Sequence, residues 1–289
     1  MGNKRAPNRQ NVPGASTEAL CALLREHGAP DFIRYDEQSV RAGVAQRIAD
    51  TQRSDPADYL ALCRDSESER HALIDAISIN YSQFFRQPNV FDAITEKVVT
   101  QLRQAVWKRS RPLRIWCAGC AAGEEPYSLA ILLADALGQE QAAEQVLIFA
   151  TDVDRTALQR ANTAVYPRYG LAEVRLAHFD TYFGAHGNDH ALRVQLLPPV
   201  HFSLHDLSSD HLTTPPDSIY GQFDLVLCRH VLIYFSPSLR RAVTRMLHKA
   251  LVPGGLLVLG DAESPADCAG APFELLDADK RIFRRPRSS

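Results

Sequence analysis

The stretch from Arg114 to Leu137, RIWCAGCAAGEEPYSLAILLADAL, constrains this chain more than any other. An apolar run rich in strand formers, Leu113 to Cys117, stops at a glycine-bearing turn, Ala118 to Gly123. Beyond the turn, Leu129, Leu132, Leu133, Ala136 and Leu137 recur at helical spacing. The pattern is strand, tight turn, helix. Pro126 suits the first turn of that helix, where its missing N–H is not needed. Glu124 and Glu125 suit the positive end of the helix dipole.

Such a turn holds a ligand at the mouth of a parallel sheet. A phosphate-binding loop needs G-x-x-x-x-G-K-[ST], and here Gly119 and Gly123 lead into glutamates. A dinucleotide turn reads G-x-G-x-x-G, and Ala121 stands where its middle glycine belongs. The two acids repel a pyrophosphate but tolerate a ligand with no phosphate and a positive centre. S-adenosylmethionine (AdoMet), with a sulfonium, an ammonium and a ribose diol, is such a ligand. An ordinary strand–helix connection is the plain alternative.

Strands and helices alternate after this point. Val146 to Thr151 is a continuous apolar run ending at Asp152, as buried parallel strands are. An acid there can accept two hydrogen bonds from a ribose diol, while Asp154 competes as the cap of a helix beginning near Arg155. Val200 to Leu204 is a third strand, ending at His205-Asp206-Leu207. Phe223 to Cys228 is a fourth, ending at Arg229-His230. Ser236-Pro237 opens a helix that continues to Leu251, Pro253-Gly254-Gly255 is a turn, and LLVLG is a fifth strand. FELLD and RIFRR form a closing hairpin. The fold class is therefore α/β, a doubly wound, mostly parallel sheet with an antiparallel end. Gly119, Asp152, Asp206 and the Arg229-His230 pair all fall at C-terminal strand ends, where ligands of such sheets sit.

Ahead of the sheet, Ser16 to about Val99 shows no convincing strand and reads as a small all-helical domain, placed at 15–95, with the sheet domain at 96–289. Residues 1–14 are polar and read as a disordered tail. Arg41, Arg47 and Arg53 offer a docking face for an acidic partner, or else a solvated helix face. Asn80 to Pro88, NYSQFFRQP, is either a linker anchored by Phe84 and Phe85 or a segment that lays Asn80, Ser82 and Arg86 over a ligand. Residues 167–199 lack a strong helical period and read as an inserted β-subdomain with two short strands around a Gly/Asn turn. His186, Asp189 and His190 there fit a polar turn better than a metal site, and no metal is expected. Cys117-x-x-Cys120 straddles a buried strand end with no second pair, so neither zinc nor redox chemistry is expected of it.

Charge and composition narrow the partners. A net charge of −2 on 289 residues, with no basic–aromatic stripe, argues against nucleic acid. No run of 18 apolar residues exists, so direct membrane insertion is not expected. The first residues lack a signal-peptide h-region, and six scattered cysteines do not form a disulfide framework. The expected location is cytoplasmic.

IWCAGCAAGEEPYSLAILL, ATDVD, FDLVLCRHVLIYF, PGGLLVLGDAES and NYSQFFR together resemble the chemotaxis receptor methyltransferases, the CheR family. The resemblance covers about residues 30 to 285. It implies a Rossmann-like class I AdoMet-methyltransferase fold that turns chemoreceptor glutamates into γ-carboxyl methyl esters and releases S-adenosylhomocysteine (AdoHcy). It implies that Asn80, Ser82 and Arg86 contact AdoMet, that Gly119 and Gly123 admit it, and that Glu124 binds it near the turn. By the same resemblance Asp152 holds the ribose, and Asp206-Leu207 and His230-Val231 flank the adenine or methionine portion. Tyr234 sits near the transferred methyl, and Arg86 or Arg229 orients the incoming acid. The implied partners are cytoplasmic domains of methyl-accepting chemoreceptors, docked through residues 167–199. Ser82 stands where the family has Thr, and Asp206 and His230 stand where it has Asn. The last two motivate an alternative, an AdoMet-sensing or receptor-binding scaffold without turnover.

Overall fold

The computed structural model describes residues 14–53, 55–78, 82–105, 111–209, 213–218, 221–265 and 272–287. The expected tail therefore lies outside the described residues up to residue 13, and helix begins at Gly14. The chain divides into two compact units, one of Met1–Asn80 with Ile233–Arg240, the other of Tyr81–Leu232 with Arg241–Ser289.

In the first unit, side-chain caps fix where three of the helices start. Asp36 accepts from the Ser39 N–H at 3.0 Å and opens α2 (Glu37–Asp50). Asp55 accepts from the Ala57 and Asp58 N–H groups at 2.8 and 2.9 Å and opens α3 (Pro56–Asp65), with Pro56 at its first position. Ser66 caps α4 (Glu67–Ile77) through the Glu69 N–H at 3.2 Å. These pack with α1 (Gly14–Glu26) around Leu20, Leu24, Val44, Tyr59, Cys63 and Leu73, all buried. α2 crosses α4 so closely that a Cβ on Gly43 would lie 2.9 Å from the Ala76 carbonyl oxygen. The three arginines of the supposed docking face are each paired within the unit. Arg41 donates to Glu37 at 2.6 Å, Arg53 to Asp58 at 2.9 Å, and Arg47 to both Glu69 oxygens at 2.9 and 2.8 Å. Tyr35 packs its ring edge-on against Phe235 at 5.0 Å, and Asp36 donates its N–H to the Tyr234 carbonyl at 2.7 Å.

The second unit begins with α5 (Pro88–Ala105), whose Val90, Phe91, Ile94 and Val98 are buried in the core of this unit. α5 thus groups with the sheet in the second unit. The main sheet contains β1 (Leu113–Ala118), β2 (Val146–Asp152), β6 (Val200–Leu204), β7 (Phe223–Cys228), β8 (Leu251–Leu259), β9 (Glu274–Asp277) and β10 (Ile282–Arg284). Its order is β6-β2-β1-β7-β8-β10-β9, with β10 antiparallel to both neighbours and the other pairings parallel. Helices α6 (Glu124–Leu137), α7 (Gln139–Gln145), α8 (Arg155–Thr163) and α10 (Pro237–Ala250) connect the strands. This is the doubly wound, mostly parallel sheet that alternating elements imply. Every residue of β7 is buried, and β1 is buried at all positions but Arg114, which explains why both are mostly apolar.

Two elements differ from expectation. Pro253-Gly254-Gly255 lies within β8 instead of forming a free turn: Gly254, at φ +85°, donates its N–H to Arg285 at 2.9 Å, and the register against β7 shifts between Phe223 and Leu225. The inserted region holds a three-stranded antiparallel sheet, β3-β5-β4, built from β3 (Val165–Tyr166), β4 (Phe183–His186) and β5 (Asp189–Leu192). It starts ahead of residue 167 and also contains a helix, α9 (Leu176–Tyr182). α9 is held to α6 by Asp135, which accepts from Tyr182 Oη at 2.5 Å and lies 2.9 Å from His178 Nε2. A seven-residue helix is too short for its period to show in the sequence. His186 and Asp189 face each other across the β4–β5 hairpin, whose turn carries Gly187 at φ +60°.

Candidate active site

The strand order reverses beside β1, so a crevice opens between the C-terminal ends of β1 and β7. The turn leaving β1 is tied down peptide by peptide. Gly119 and Cys120 donate their N–H groups to the Thr151 carbonyl at 2.7 and 3.0 Å. Ala121 donates to Asp152 Oδ2 at 2.8 Å, and the Tyr166 hydroxyl donates to the Ala122 carbonyl at 2.8 Å. Gly119, Ala121 and Gly123 all take left-handed backbone, at φ +79°, +48° and +91°. A Cβ on Gly119 would lie 2.4 Å from Val231 Cγ2, and one on Gly123 would lie 3.0 Å from Ala161 Cβ. Both positions therefore require glycine for reasons inside the protein.

Of the two acids, Asp154 takes the capping role left open in the sequence. Asp154 caps α8, accepting from Thr156 and Ala157 N–H at 2.7 and 3.0 Å. Asp152 is buried and accepts from Ala121 N–H with one oxygen and from Asp154 N–H, at 2.9 Å, with the other. Burial holds its pKa above the usual carboxylate value, against the pull of those N–H groups.

Glu124 opens α6 beside the turn and is 8% exposed. The Ser82 hydroxyl hydrogen-bonds its carboxylate, and burial raises its pKa. Its Oε2 is buried with no hydrogen-bond partner among the described residues. Ser82 begins the segment 82–87, which is anchored at several points. Phe84 packs edge-on against Tyr166 at 4.8 Å and Phe183 at 5.3 Å. Phe85 donates its N–H to Ser128 Oγ at 2.8 Å and stacks on His178 at 5.3 Å. Phe85 and Gln87 are left-handed, at φ +53° and +63°, a conformation that costs about 1–2 kcal/mol per non-glycine residue. Asn80 lies outside the described residues.

Arg229 is not aimed at a ligand. Its side chain is 2% exposed, with Nη1 on Glu125 Oε2 at 3.1 Å and Nη2 on the Arg86 carbonyl and Gln87 Oε1 at 3.0 and 2.6 Å. Its guanidinium also lies over the Phe91 ring at 5.3 Å. These contacts engage the Arg229 guanidinium within the protein. The charge of half-buried Arg86 acts on both His230 and Glu125.

His230 sits at φ +59° and donates its backbone N–H to Glu263 Oε2 at 2.9 Å, where Gly260 N–H also donates at 2.7 Å. Burial, then the Arg86 and Arg229 charges, lower its pKa to about 4, so the ring is neutral at physiological pH and does not switch there. The Asp261 carboxylate, 3.6 Å from Nδ1, is too far for a hydrogen bond. Nε2 is buried without a partner among the described residues. Asp206 turns its Oδ1 onto the N–H and hydroxyl of Ser208, both at 2.7 Å, which is an Asx turn. Leu207 is buried, and Val231 lies against Gly119. Tyr234 belongs to the helical unit.

Cys117 and Cys120 are free and buried, and burial raises both thiols well above their ordinary pKa, which disfavours the reactive thiolate. Among the described residues no group of three or more His, Cys, Asp or Glu is placed to share a metal ion. Sequence reasoning missed the structural parts of this site: Glu125 and Gln87 as partners of Arg229, Ser128 under Phe85, and Glu263 under His230. The signal for Glu125 was its adjacency to Glu124, read only as a helix-dipole effect.

A family model described as CheR methyltransferase, SAM binding domain, matches residues 80–281. A putative methyltransferase, Cher3, of Pseudomonas putida is 35% identical over 226 residues, covering 74% of this chain and 76% of its own. A chemotaxis protein methyltransferase of Klebsiella aerogenes is 33% identical over 273 residues, covering 91% of this chain and 88% of its own. An uncharacterized 104.1 kDa protein of Rhodobacter capsulatus is 30% identical over 95% of this chain, and this chain spans 28% of that protein's length.

Proposed function

Because this chain belongs to the CheR methyltransferase family, we propose that it transfers a methyl group from AdoMet to glutamate side chains of chemoreceptors. The product is a γ-carboxyl methyl ester, made in chemotaxis adaptation or a related signalling pathway. One structural observation carries the reading beyond family membership. Glu124 Oε2, at the start of α6, and His230 Nε2, just past β7, are buried without hydrogen-bond partners among the described residues. A buried polar atom without a partner is unfavourable unless a ligand completes it. The hydroxyl and amine donors of AdoMet suit a carboxylate oxygen and a neutral imidazole nitrogen.

AdoMet, when bound, supplies an electrophilic methyl on a sulfonium. Glu124 and Asp152 take its hydroxyl or ammonium donors, Asp152 through the lone pairs its backbone partners leave over. Gly119, Gly123 and Ser82 shape the turn and the strap around it, and Leu207, His230 and Val231 flank its flat portion. Asp206 contributes backbone there, since its carboxylate is engaged by Ser208. The acceptor glutamate is already ionised at neutral pH, so no general base is required. This chain's residues position and partly desolvate that carboxylate. Arg86 orients it and offsets the nearby acids. The β3–β5 sheet docks the cytoplasmic domain of the receptor.

The test is methyl transfer from radiolabelled AdoMet to receptor-bearing membranes, with calorimetric titration of AdoMet and AdoHcy alongside. Base-labile label on the receptor, released as methanol and blocked by AdoHcy, is the expected result. Binding of both ligands with no label on any methyl-accepting receptor overturns turnover and leaves an AdoMet-sensing scaffold. No binding of either ligand by folded protein overturns the ligand site itself.

A further inference from the structure

We infer that Arg229 is a positioning residue that latches the Ser82–Gln87 strap and so fixes Arg86 for methyl transfer. This rests on the functional reading above, in which Arg86 orients the acceptor carboxylate. The strap cannot hold its shape unaided, because Phe85 and Gln87 are both in the left-handed region without being glycine. Its first half is fastened by packing: Phe84 against Tyr166 and Phe183, Phe85 on Ser128 and His178. Its last two residues, Arg86 and Gln87, are fastened by Arg229, through the Arg86 carbonyl and the Gln87 side chain. Arg229 itself follows the last residue of β7 and is anchored on Glu125 in the first turn of α6 and on the face of Phe91 in α5.

One guanidinium thus joins the two loops that border the crevice to the strap that carries Arg86. Geometry favours arginine here. The fork donates to a carboxylate on one side and to two strap oxygens on the other, which a single ammonium cannot reproduce. Because the chain beyond Arg229 is His230, whose N–H is held by Glu263, the latch also fixes where the β7 loop turns.

Arg229→Ala, Arg229→Lys and Gln87→Ala test the latch, each read by kcat, by AdoHcy affinity and by hydrogen exchange of the peptide spanning residues 82–88. For Arg229→Ala we expect kcat to fall by about tenfold to a hundredfold, the scale of a misplacement of about 1 Å. AdoHcy affinity stays within about threefold, and exchange speeds up in the strap while the β1 and β2 peptides stay protected, since the effect is a local opening. Arg229→Lys recovers part of kcat. Gln87→Ala, which spares the Arg229–Glu125 pair, gives the same local signature with a smaller fall. If Arg229→Ala loosens the whole sheet, Gln87→Ala and Arg229→Lys decide. Unchanged kcat in both, or a fall without faster strap exchange, overturns the latch. Wild-type protein that transfers no methyl overturns the functional reading, and that result is visible before any variant is made.

Discussion

Asp152 accepts the N–H of Ala121 at 2.8 Å, so the end of β2 holds the turn that leaves β1. Ala121 is left-handed at φ +48°, a conformation worth about 1–2 kcal/mol against it, and the carboxylate is what keeps it there. Asp152 also accepts the N–H of Asp154, the residue that caps α8. One side chain thus sets two neighbouring loops at the mouth of the sheet. Asp152→Asn replaces one acceptor oxygen with a donor, leaving one of the two buried N–H groups without a partner. We expect a loss of about 1–3 kcal/mol in stability, read by urea denaturation, and AdoHcy binding at least tenfold weaker by calorimetry. Full-strength binding by the Asn variant would show that the turn does not need its brace.

Gly119 gives a sharper test of the same turn. A methyl group there meets Val231 Cγ2 at 2.4 Å, and φ is +79°. Gly119→Ala therefore combines a backbone term of about 1–2 kcal/mol with an overpacking term of about 1–3 kcal/mol. Adding Val231→Ala relieves the second and not the first. The double variant is expected to recover only part of the lost stability, and complete recovery would refute the backbone term.

The sheet was legible because its strands are buried on both faces. LRIWC, VLIFAT and FDLVLC are mostly apolar, each with at most one charged residue near its start, and each ends where the chain turns at the mouth of the sheet. Legibility failed where a residue acts through a distant partner. Arg229 looks like a ligand-facing arginine after a strand, and nothing in CRHVLIYF says that Glu125, Gln87 and the Arg86 carbonyl surround it. Pro253-Gly254-Gly255 reads as a turn because its composition is that of one, yet Arg285 pairs with it from 30 residues further on and holds it within β8. The stretch after Pro88 reads as a continuation of the helical domain, beyond a segment that Phe84 and Phe85 mark as a possible linker. Its stripe of Val90, Phe91, Ile94 and Val98 is buried.

The neutral state of His230 has a consequence for stability. Its pKa falls from 6.5 to about 4 on folding, so the folded protein binds fewer protons there than the unfolded chain between those values. The stability it contributes is complete above about pH 6.5 and is lost as pH falls toward 4, on the order of 2–3 kcal/mol in all. Glu124, Glu125 and Asp152 act with the opposite sign, because burial raises their pKa values. Their contribution is full at low pH and declines as pH rises through the raised values. A stability–pH curve of the wild type alone mixes the two. His230→Asn keeps a side chain that tolerates left-handed backbone and removes the titration. The difference between wild type and this variant should grow against the wild type as pH drops from 6.5 to 4. A constant difference would mean that the imidazole is charged in the folded protein.

In the helical unit the decisive group is Glu69. Its carboxylate accepts two bonds from Arg47, at 2.9 and 2.8 Å, and one from the wholly buried Tyr59 at 2.7 Å. Arg41, on the same helix as Arg47, makes an i,i+4 pair with Glu37, which is largely exposed. Exposed pairs of that kind are worth about 0.3–0.5 kcal/mol, whereas removing one partner of a buried pair costs about 3–5 kcal/mol. Glu69→Ala leaves a guanidinium and a phenol without their acceptor, so a loss of about 3 kcal/mol is expected in chemical denaturation of the full chain. Arg41→Ala should lose under about 0.5 kcal/mol. The double variant Arg47→Ala/Glu69→Ala separates pairing from burial. If Arg47 acts through Glu69, its removal costs little more once Glu69 is gone, a coupling of about 0.5–3 kcal/mol. Strict additivity would return Arg47 to the solvent-facing role that the charge pattern first suggested.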